Sequence, residues 1–351
     1  KRRGVGIAWG GFNVTEGGGD SAEVALELMP GNKIRKYDTW HAMGQGATTG
    51  SLVVTLEALK EMHLTPEDIQ LIQNDTKTCP DTGMAGASRS LYMDGNATII
   101  AANKLLAAMR KEDGTLRTYD EMKAEGIETK YLGRYETNTT PGLCRLDPNT
   151  GIGDPTPAFT YCLNLAEVEV DTKTGKTTVL KFTCVDFVGR IGNIDAVNGQ
   201  AYSGIMHGIG FALKEDYADV KKHANMFGAG TSYIKDVPDD INLIHIDGAI
   251  SDGPFGSSGA SEAFQASGHC AVLNGIYNAC GVRIHEIPAL PEKVKAGLDA
   301  IAKGEKPYEP KKYFLGSDMY EELENIKENP VQVGTQSFYV SLDDPTAERP
   351  F

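Results

Sequence analysis

Hydrophobic and polar positions along the chain change period several times, and each change marks an element. Residues 24–29 (VALELM) and 34–40 (IRKYDTW) flank the turn Pro30-Gly31-Asn32, a pattern that predicts a β-hairpin. The stretch MGQGATTGSLVVTLEALKEM then shifts to helical spacing, with Leu52, Thr55, Leu56 and Leu59 on one face. Thr65-Pro66-Glu67-Asp68 is a short capped turn, and the strand-like IQLIQN follows it. A second glycine loop leads into a long apolar helix within residues 82–109. Residues 110–130 are polar. Residues 161–171 and 177–186 alternate around DTKTGK, a hairpin turn. VGRIGNIDAVNGQAYSGIMHGIGFAL is a third loop running into a helix, and helices are expected at 264–280 and 291–302. Strands mixed with helices in this way predict an α+β (mixed α/β) fold built on two β–loop–helix subdomains. Their expected limits are 1–150 and 151–303, with a charged, proline-punctuated tail over 304–351. The letters themselves show no close internal repeat.

A length of 351 residues accommodates two or three domains with their own cores. Apolar content of 40% is that of an ordinary globular chain, and no run of 18 apolar residues suggests a membrane span. The opening KRRGVGIAWGGF has no leader pattern, and the first residue is not Met, so a processed chain or a piece of a longer polypeptide is expected. A formal net charge of −14 argues against nucleic-acid backbone binding, which needs clustered Lys and Arg. The six cysteines (Cys79, Cys144, Cys162, Cys184, Cys270 and Cys280) form no C-x-x-C pair, so zinc and iron–sulfur spacings are missing. They are expected to be reduced and mostly core-filling, in a cytoplasmic protein, with the periplasm as the alternative.

Glycine changes the picture. Its 40 residues cluster in GVGIAWGG, EGGG, MGQGATTG, GMAGAS and FGSSGAS. Glycines allow positive φ and close backbone approach, so the clusters are either plain turns or a cradle for a ligand. Four glycine-rich loops each lead into a helix, whose free N–H groups and positive dipole end suit an anion. The loops carry neutral donors, namely Gln45, Ser88, Asn198, Gln200, Ser257 and Ser258, which suit a cofactor held firmly in a closed site. No P-loop motif occurs, and the GxG of GVGIAWGG lacks a dinucleotide-binding context.

The stretch GPFGSSGASEAF, residues 253–264, ends a loop of small residues on one carboxylate, Glu262, with no Lys or Arg nearby in sequence. Glu262 is either a first-turn acid stabilised by the helix dipole at about 0.3–1 kcal/mol, or a base poised for proton abstraction. An apolar setting raises a carboxyl pKa and a helix dipole lowers it. The seven histidines show no H-x-x-x-H or H-E-x-x-H, so a metal is expected to be carried by an organic cofactor rather than by protein ligands. His41 is either an ordinary histidine or a hydrogen-bonding partner of that cofactor.

MGQGATTGS, CPDTGMAGASRSLYMDGNA, NGQAYSGIMHGIGFAL and GSSGASE, in this order, together with VLNGIYNACGVRIHEIPALPEKV, resemble the C-terminal half of the molybdopterin-binding subunit of molybdenum hydroxylases. This is the xanthine oxidase family, and the likeness is greatest to its bacterial aldehyde oxidoreductases. It covers roughly residues 1–302. It implies a molybdenum–molybdopterin cofactor, in the cytosine dinucleotide form. Gly44, Gln45 and Gly46 would lie on the molybdenum side. Ala85, Gly86, Ala87, Ser88, Arg89 and Ser90 would hold the phosphate and nucleotide portion. Gln200 would bond the pterin, Ser258, Gly259, Ala260 and Ser261 would pass beneath it, and Glu262 would be the general base. Many family members have Gly where Ser261 precedes Glu262 here. The implied reaction is oxidation of an aldehyde to a carboxylic acid with water as oxygen source, in a complete enzyme that is a homodimer. Electrons would leave through [2Fe–2S] clusters outside this chain, on an iron–sulfur domain or subunit, and a first molybdenum-binding half would complete the site. The alternatives are hydroxylation of a purine- or nicotinate-type N-heterocycle, a non-catalytic cofactor-holding subunit, and a nucleotide-binding module without molybdenum.

Overall fold

A computed structural model describes residues 1–15, 19–73, 75–137, 147, 149–153, 155–219, 221–305 and 328. The chain divides into two compact units, Lys1–Pro307 and Tyr308–Phe351. Every element named below belongs to the first, and the expected tail beyond 305 lies outside the described residues apart from Glu328.

In the first half, β2 (Ser21–Met29) and β3 (Lys33–Asp38) form the hairpin around Pro30-Gly31-Asn32, where Gly31 adopts φ +74°. Helix α1 (Ala47–Ala58) crosses over to β4 (Ile69–Gln73), which pairs parallel with β3. The chain continues through α2 (Arg89–Met109) and α3 (Tyr119–Ala124) into β5 (Lys130–Glu136), antiparallel to β2. The sheet order is β4-β3-β2-β5. The second half repeats this path. Hairpin strands β6 (Ala158–Val170) and β7 (Thr177–Phe187) lead to crossover helix α4 (Ile194–Leu213) and to β8 (Asp240–His245), parallel with β7. Short α5 (Ser261–Gln265), then α6 (Gly268–Cys280) and α7 (Pro291–Ala302), complete the layer. The edge strand here is β1 (Arg2–Val14), antiparallel to β6, and the order β1-β6-β7-β8 is the first sheet's order reversed. A strand from the start of the chain therefore fills the place that β5 fills in the first half. A division at residue 150 does not separate the sheets, because residues 2–14 pair with 158–170.

Glycine explains how each edge strand lies against its helix. A Cβ at Gly6 of β1 would stand 2.0 Å from Ala271 O of α6, and one at Gly133 of β5 would stand 2.0 Å from Ala97 O of α2. Only a bare backbone fits at that separation. Two main cores result. Leu26, Leu28, Ile34, Leu105 and Leu106 pack beneath the first sheet. Val168, Phe182, Ile205, Phe264, Val272 and Ile276 pack beneath the second. Lys36 is fully buried, with Nζ 2.7 Å from Asp94 Oδ1 of α2 and 3.4 Å from Asp38 Oδ2. Cys79, Cys162, Cys184, Cys270 and Cys280 are free thiols, and Cys144 lies outside the described residues.

The mixed α+β class and the helices at α1, α2, α4 and α7 are those expected from the sequence. Strands β1, β5 and β8 and helix α3 add to that reading, and the helix expected over 264–280 begins at Ser261 and breaks between α5 and α6. No helix among the described residues is long and apolar enough to cross a membrane.

Candidate cofactor cavity and its carboxylate

Crossover connections leave the C-terminal ends of β3 and β7, and loops leaving parallel strand ends are where open sheets bind ligands. Here the loops before α1, α2, α4 and α5 converge on one cavity of about 500 Å³, two loops coming from each half. Trp40, Met43, Val53, Val54, Leu91, Val188, Ile191, Val197 and Phe255 make most of its wall apolar.

Glu262, the second residue of α5, is half-buried on this wall. Its Oε1 accepts from Ser88 N at 3.1 Å, and Ser88 Oγ hydrogen-bonds Oε2. No Lys or Arg among the described residues pairs with it. The loop that ends on Glu262 therefore meets the loop that opens α2. Gly259 makes the contact possible, since a Cβ there would stand 1.9 Å from Ser88 O. Ala87, Ser88 and Phe255 take φ values of +49°, +50° and +56°. Each left-handed non-glycine residue costs on the order of 1–3 kcal/mol and persists only where its surroundings hold it. Thr15 N donates to Ala87 O at 2.9 Å, and Glu262 holds Ser88. Pro254 packs so close to α2 that a Cβ at Gly95 would lie 2.5 Å from its Cγ.

Of the residues singled out from the sequence, Gln45, Gly46, Ala85, Gly86, Ser88, Ser90, Gln200, Ser258, Gly259, Ala260, Ser261 and Glu262 line this cavity. Gln200 Oε1 accepts from Ser261 Oγ at 2.9 Å, and the buried Ser258 Oγ meets no partner among the described residues. Gln45 faces its own loop: Nε2 donates to His41 O at 2.6 Å and Oε1 accepts from Met43 N at 2.6 Å. Gly44, Ala87, Arg89 and His41 are not on the wall. The implied role of the Arg89 side chain in holding the phosphate portion needs correction. Arg89 is 3% exposed, and its guanidinium grips Asp20 through Nε and Nη2, both at 2.7 Å. Its remaining donors serve the carbonyls of Thr82, Met84 and Ser21. Asn198, read as a cofactor donor, contacts His245 instead.

Two wall residues passed unnoticed in the sequence. Trp40 closes the end of the hairpin, and Asp38 Oδ1 accepts from its N–H at 3.3 Å. Arg190 is the one Lys or Arg among the described residues on the wall, and its guanidinium makes no hydrogen bond or ion pair among them. Its backbone N donates to Gly256 O at 2.9 Å, and its Cδ lies where a Gly256 Cβ would come within 3.3 Å. The only sequence signal was a lone arginine between glycines in VGRIG.

Four helix-leading loops from two like halves, closing on an apolar cavity with an uncompensated carboxylate, define a cofactor-cradling domain. The family profile described as "Molybdopterin cofactor-binding domain" matches residues 1–238, and the chain belongs to that family. It is 40% identical over 299 residues to the aldehyde oxidoreductase of Megalodesulfovibrio gigas, covering 85% of this chain and 33% of that protein. It is 28% identical over 277 residues to the probable hypoxanthine oxidase XdhD of Escherichia coli, covering 74% of this chain and 29% of that one. The crystal structure of the aldehyde oxidoreductase from Desulfovibrio desulfuricans superposes with a TM-score of 0.80 at 43% identity, over 84% of this chain and 32% of that chain. The chain thus spans about a third of the length of these relatives.

Proposed function

We propose that this chain is the cofactor-holding and base-bearing part of a molybdenum hydroxylase that oxidises an aldehyde to a carboxylic acid with water as the oxygen source. The observation that carries the reading is Glu262, a carboxylate without a cation among the described residues, at the end of a loop that only glycine allows past Ser88. The residues present suit the group. A cavity of about 500 Å³ is within the ~300–1,000 Å³ range of cofactor sites. Ser258 Oγ is a buried hydroxyl awaiting a partner, and the Gln200 amide N–H₂ has no acceptor among the described residues. Gly86 offers a backbone with little above it: a Cβ built there would meet only Met84 Cε, at 3.7 Å. Arg190, a cation on the wall with no partner among the described residues, supports the reading as a candidate to meet a phosphate, the role that the resemblance suggested for Arg89.

When bound, the molybdenum cofactor supplies the two-electron redox chemistry. The chain's own residues do the rest. Gln200 and Ser258 orient the cofactor through hydrogen bonds. Trp40, Val53, Val54 and Phe255 keep bulk water from the reacting end. Glu262 takes up a proton at its carboxylate, while the Ser88 N–H and hydroxyl hold that carboxylate in one orientation.

The cytosine dinucleotide form of the cofactor, [2Fe–2S] clusters on the remaining two thirds of the enzyme, and a homodimeric holoenzyme complete the proposal. The outer face of the second sheet supports a large partner. Val5, Ile7, Trp9, Phe159, Tyr161 and Leu163 are all exposed on β1 and β6, and Trp9, 66% exposed, stacks on Tyr161. The test is molybdenum and phosphorus content of the purified complete enzyme, with turnover of an aldehyde against hypoxanthine. Molybdenum with aldehyde turnover that disappears in Glu262→Gln supports the reading. Purine turnover alone, or no molybdenum, refutes it.

A further inference from the structure

The two halves carry the same clamp in different residues. Asp38 ends β3 and pairs in register with Gln73, the last residue of β4. Asp38 Oδ1 accepts from Gln73 Nε2 at 2.8 Å, and Gln73 Oε1 accepts from Thr48 Oγ1 at 3.2 Å, in the first turn of crossover helix α1. In the second half, Asp186 pairs in register with His245, the last residue of β8. Asp186 Oδ2 lies 2.8 Å from His245 Nδ1, and His245 Nε2 lies 2.8 Å from Asn198 Oδ1, in the second turn of crossover helix α4. Each clamp runs from a strand-end carboxylate, through the end of the parallel strand, to the crossover helix. Nothing in the letters repeats; the topology places the three positions together twice.

The second clamp bears more load. Asp38 has further partners in Ser51, Lys36 and the Trp40 N–H. Asp186 is 1% exposed, and its Oδ1 meets no partner, so His245 is its one side-chain partner among the described residues. Burial pushes the Asp186 carboxyl up, and His245 pulls it back. A ring with protons on both nitrogens serves Asp186 and the Asn198 carbonyl together; a neutral ring does so with the Asn198 amide turned over. Two residues beyond Asn198, Gln200 receives the Ser261 hydroxyl, and Ser261 adjoins Glu262.

We infer that His245 and Asn198 are positioning residues that fix the first turns of α4, and so hold Gln200 against Ser261 and the start of α5 at the cavity. Its bearing on the cofactor rests on the function proposed above. Asn198→Ala releases α4 while leaving the Asp186–His245 pair intact. His245→Gln copies the residue that does the same work in the first half. His245→Ala removes the link and leaves Asp186 unpaired.

The test reads two quantities in the complete enzyme. One is amide hydrogen exchange, by mass spectrometry, of the peptide covering residues 194–205. The other is the rate at which molybdenum and organic phosphorus are lost on dialysis. Asn198→Ala is expected to speed both by about 10-fold, the size of one net hydrogen bond, with the melting temperature nearly unchanged. His245→Gln should stay within about 3-fold of wild type, whereas His245→Ala should match or exceed Asn198→Ala. Unchanged exchange in both alanine variants, or His245→Gln as damaged as His245→Ala, overturns the clamp. Faster exchange in a protein whose wild type holds no molybdenum upholds the clamp and overturns the cofactor reading.

Discussion

Alanine at Gly259 probes the meeting of the two loops. The added Cβ would lie 1.9 Å from Ser88 O, 2.6 Å from Ser88 C and 2.8 Å from Ser88 Cβ. Even a separation of 3.0 Å, which real Cβ atoms scarcely go below, requires the loops to part by 3.0 − 1.9, about 1.1 Å. If the Ser88 N–Glu262 Oε1 bond of 3.1 Å lengthens by the same amount it reaches about 4.2 Å and is broken. Neither side yields readily. Ser88 immediately precedes α2, which is anchored by the buried Arg89–Asp20 pair, and Ser257 is bridged to Gly189. Overpacking of this kind costs about 1–3 kcal/mol, a fall of a few degrees in melting temperature. The larger effect falls on the site, where Glu262 loses its orientation. Gly199→Ala is the control: it lies in helix α4 with nothing within 4 Å of the new Cβ, and should stabilise by about 0.5–1 kcal/mol. Differential scanning fluorimetry, molybdenum per chain and aldehyde turnover of the complete enzyme read the outcome. Gly259→Ala with wild-type values in all three would refute the close-contact argument.

Glu262→Gln keeps an acceptor for the Ser88 N–H, so molybdenum content should persist while turnover falls about 10²–10⁴-fold; full activity at full metal loading removes Glu262 from the proton-transfer role. Arg89→Ala should cost stability first, roughly 3–5 kcal/mol, because Asp20 keeps only Thr15 as a side-chain donor and three carbonyls lose the guanidinium; a variant that melts like wild type but loses cofactor would restore Arg89 to the ligand. Burial raises the Asp94 carboxyl from 3.8 to about 6 against the pull of Lys36. Between these values the folded chain holds a proton that the unfolded chain has released, so this group's contribution to stability falls as pH rises from about 4 to about 6. The melting-temperature difference between wild type and Asp94→Asn should therefore move in favour of wild type as pH is lowered through that window, and a flat difference contradicts it. Arg190→Ala should weaken phosphate retention about 10- to 100-fold, read as phosphorus per chain after dialysis; unchanged content clears Arg190 of that role.

Local pattern made part of this legible. Helices α1, α2 and α4 announce themselves by apolar spacing after glycine, and Glu262 stands out because no other charge lies near it in sequence. Strand β1 was hidden for a physical reason: its inward positions Gly4 and Gly6 are glycines because α6 sits on them, and Gly10 because Ala266 and Ser267 between α5 and α6 do, so the alternation is apolar against glycine and resembles a loop. Nothing local says that it pairs with a strand some 150 residues later. Arg89 shows the same limit at a side chain. A guanidinium among hydroxyls and glycines reads alike whether it faces a phosphate or a buried partner, and Asp20 is 69 residues away. Arg190 was overlooked because its value comes from the cavity, which exists only when both halves fold. The duplicated clamp is invisible for a related reason, since Gln73 and His245 do the same work with different chemistry.

Crystals of the complete enzyme, measured on both sides of the molybdenum absorption edge, address the cofactor assignment most directly. An anomalous peak is expected inside the cavity, beside the Glu262 carboxylate and between the Gln45 and Ser258 loops. A peak elsewhere, or none in crystals of active enzyme, would contradict it.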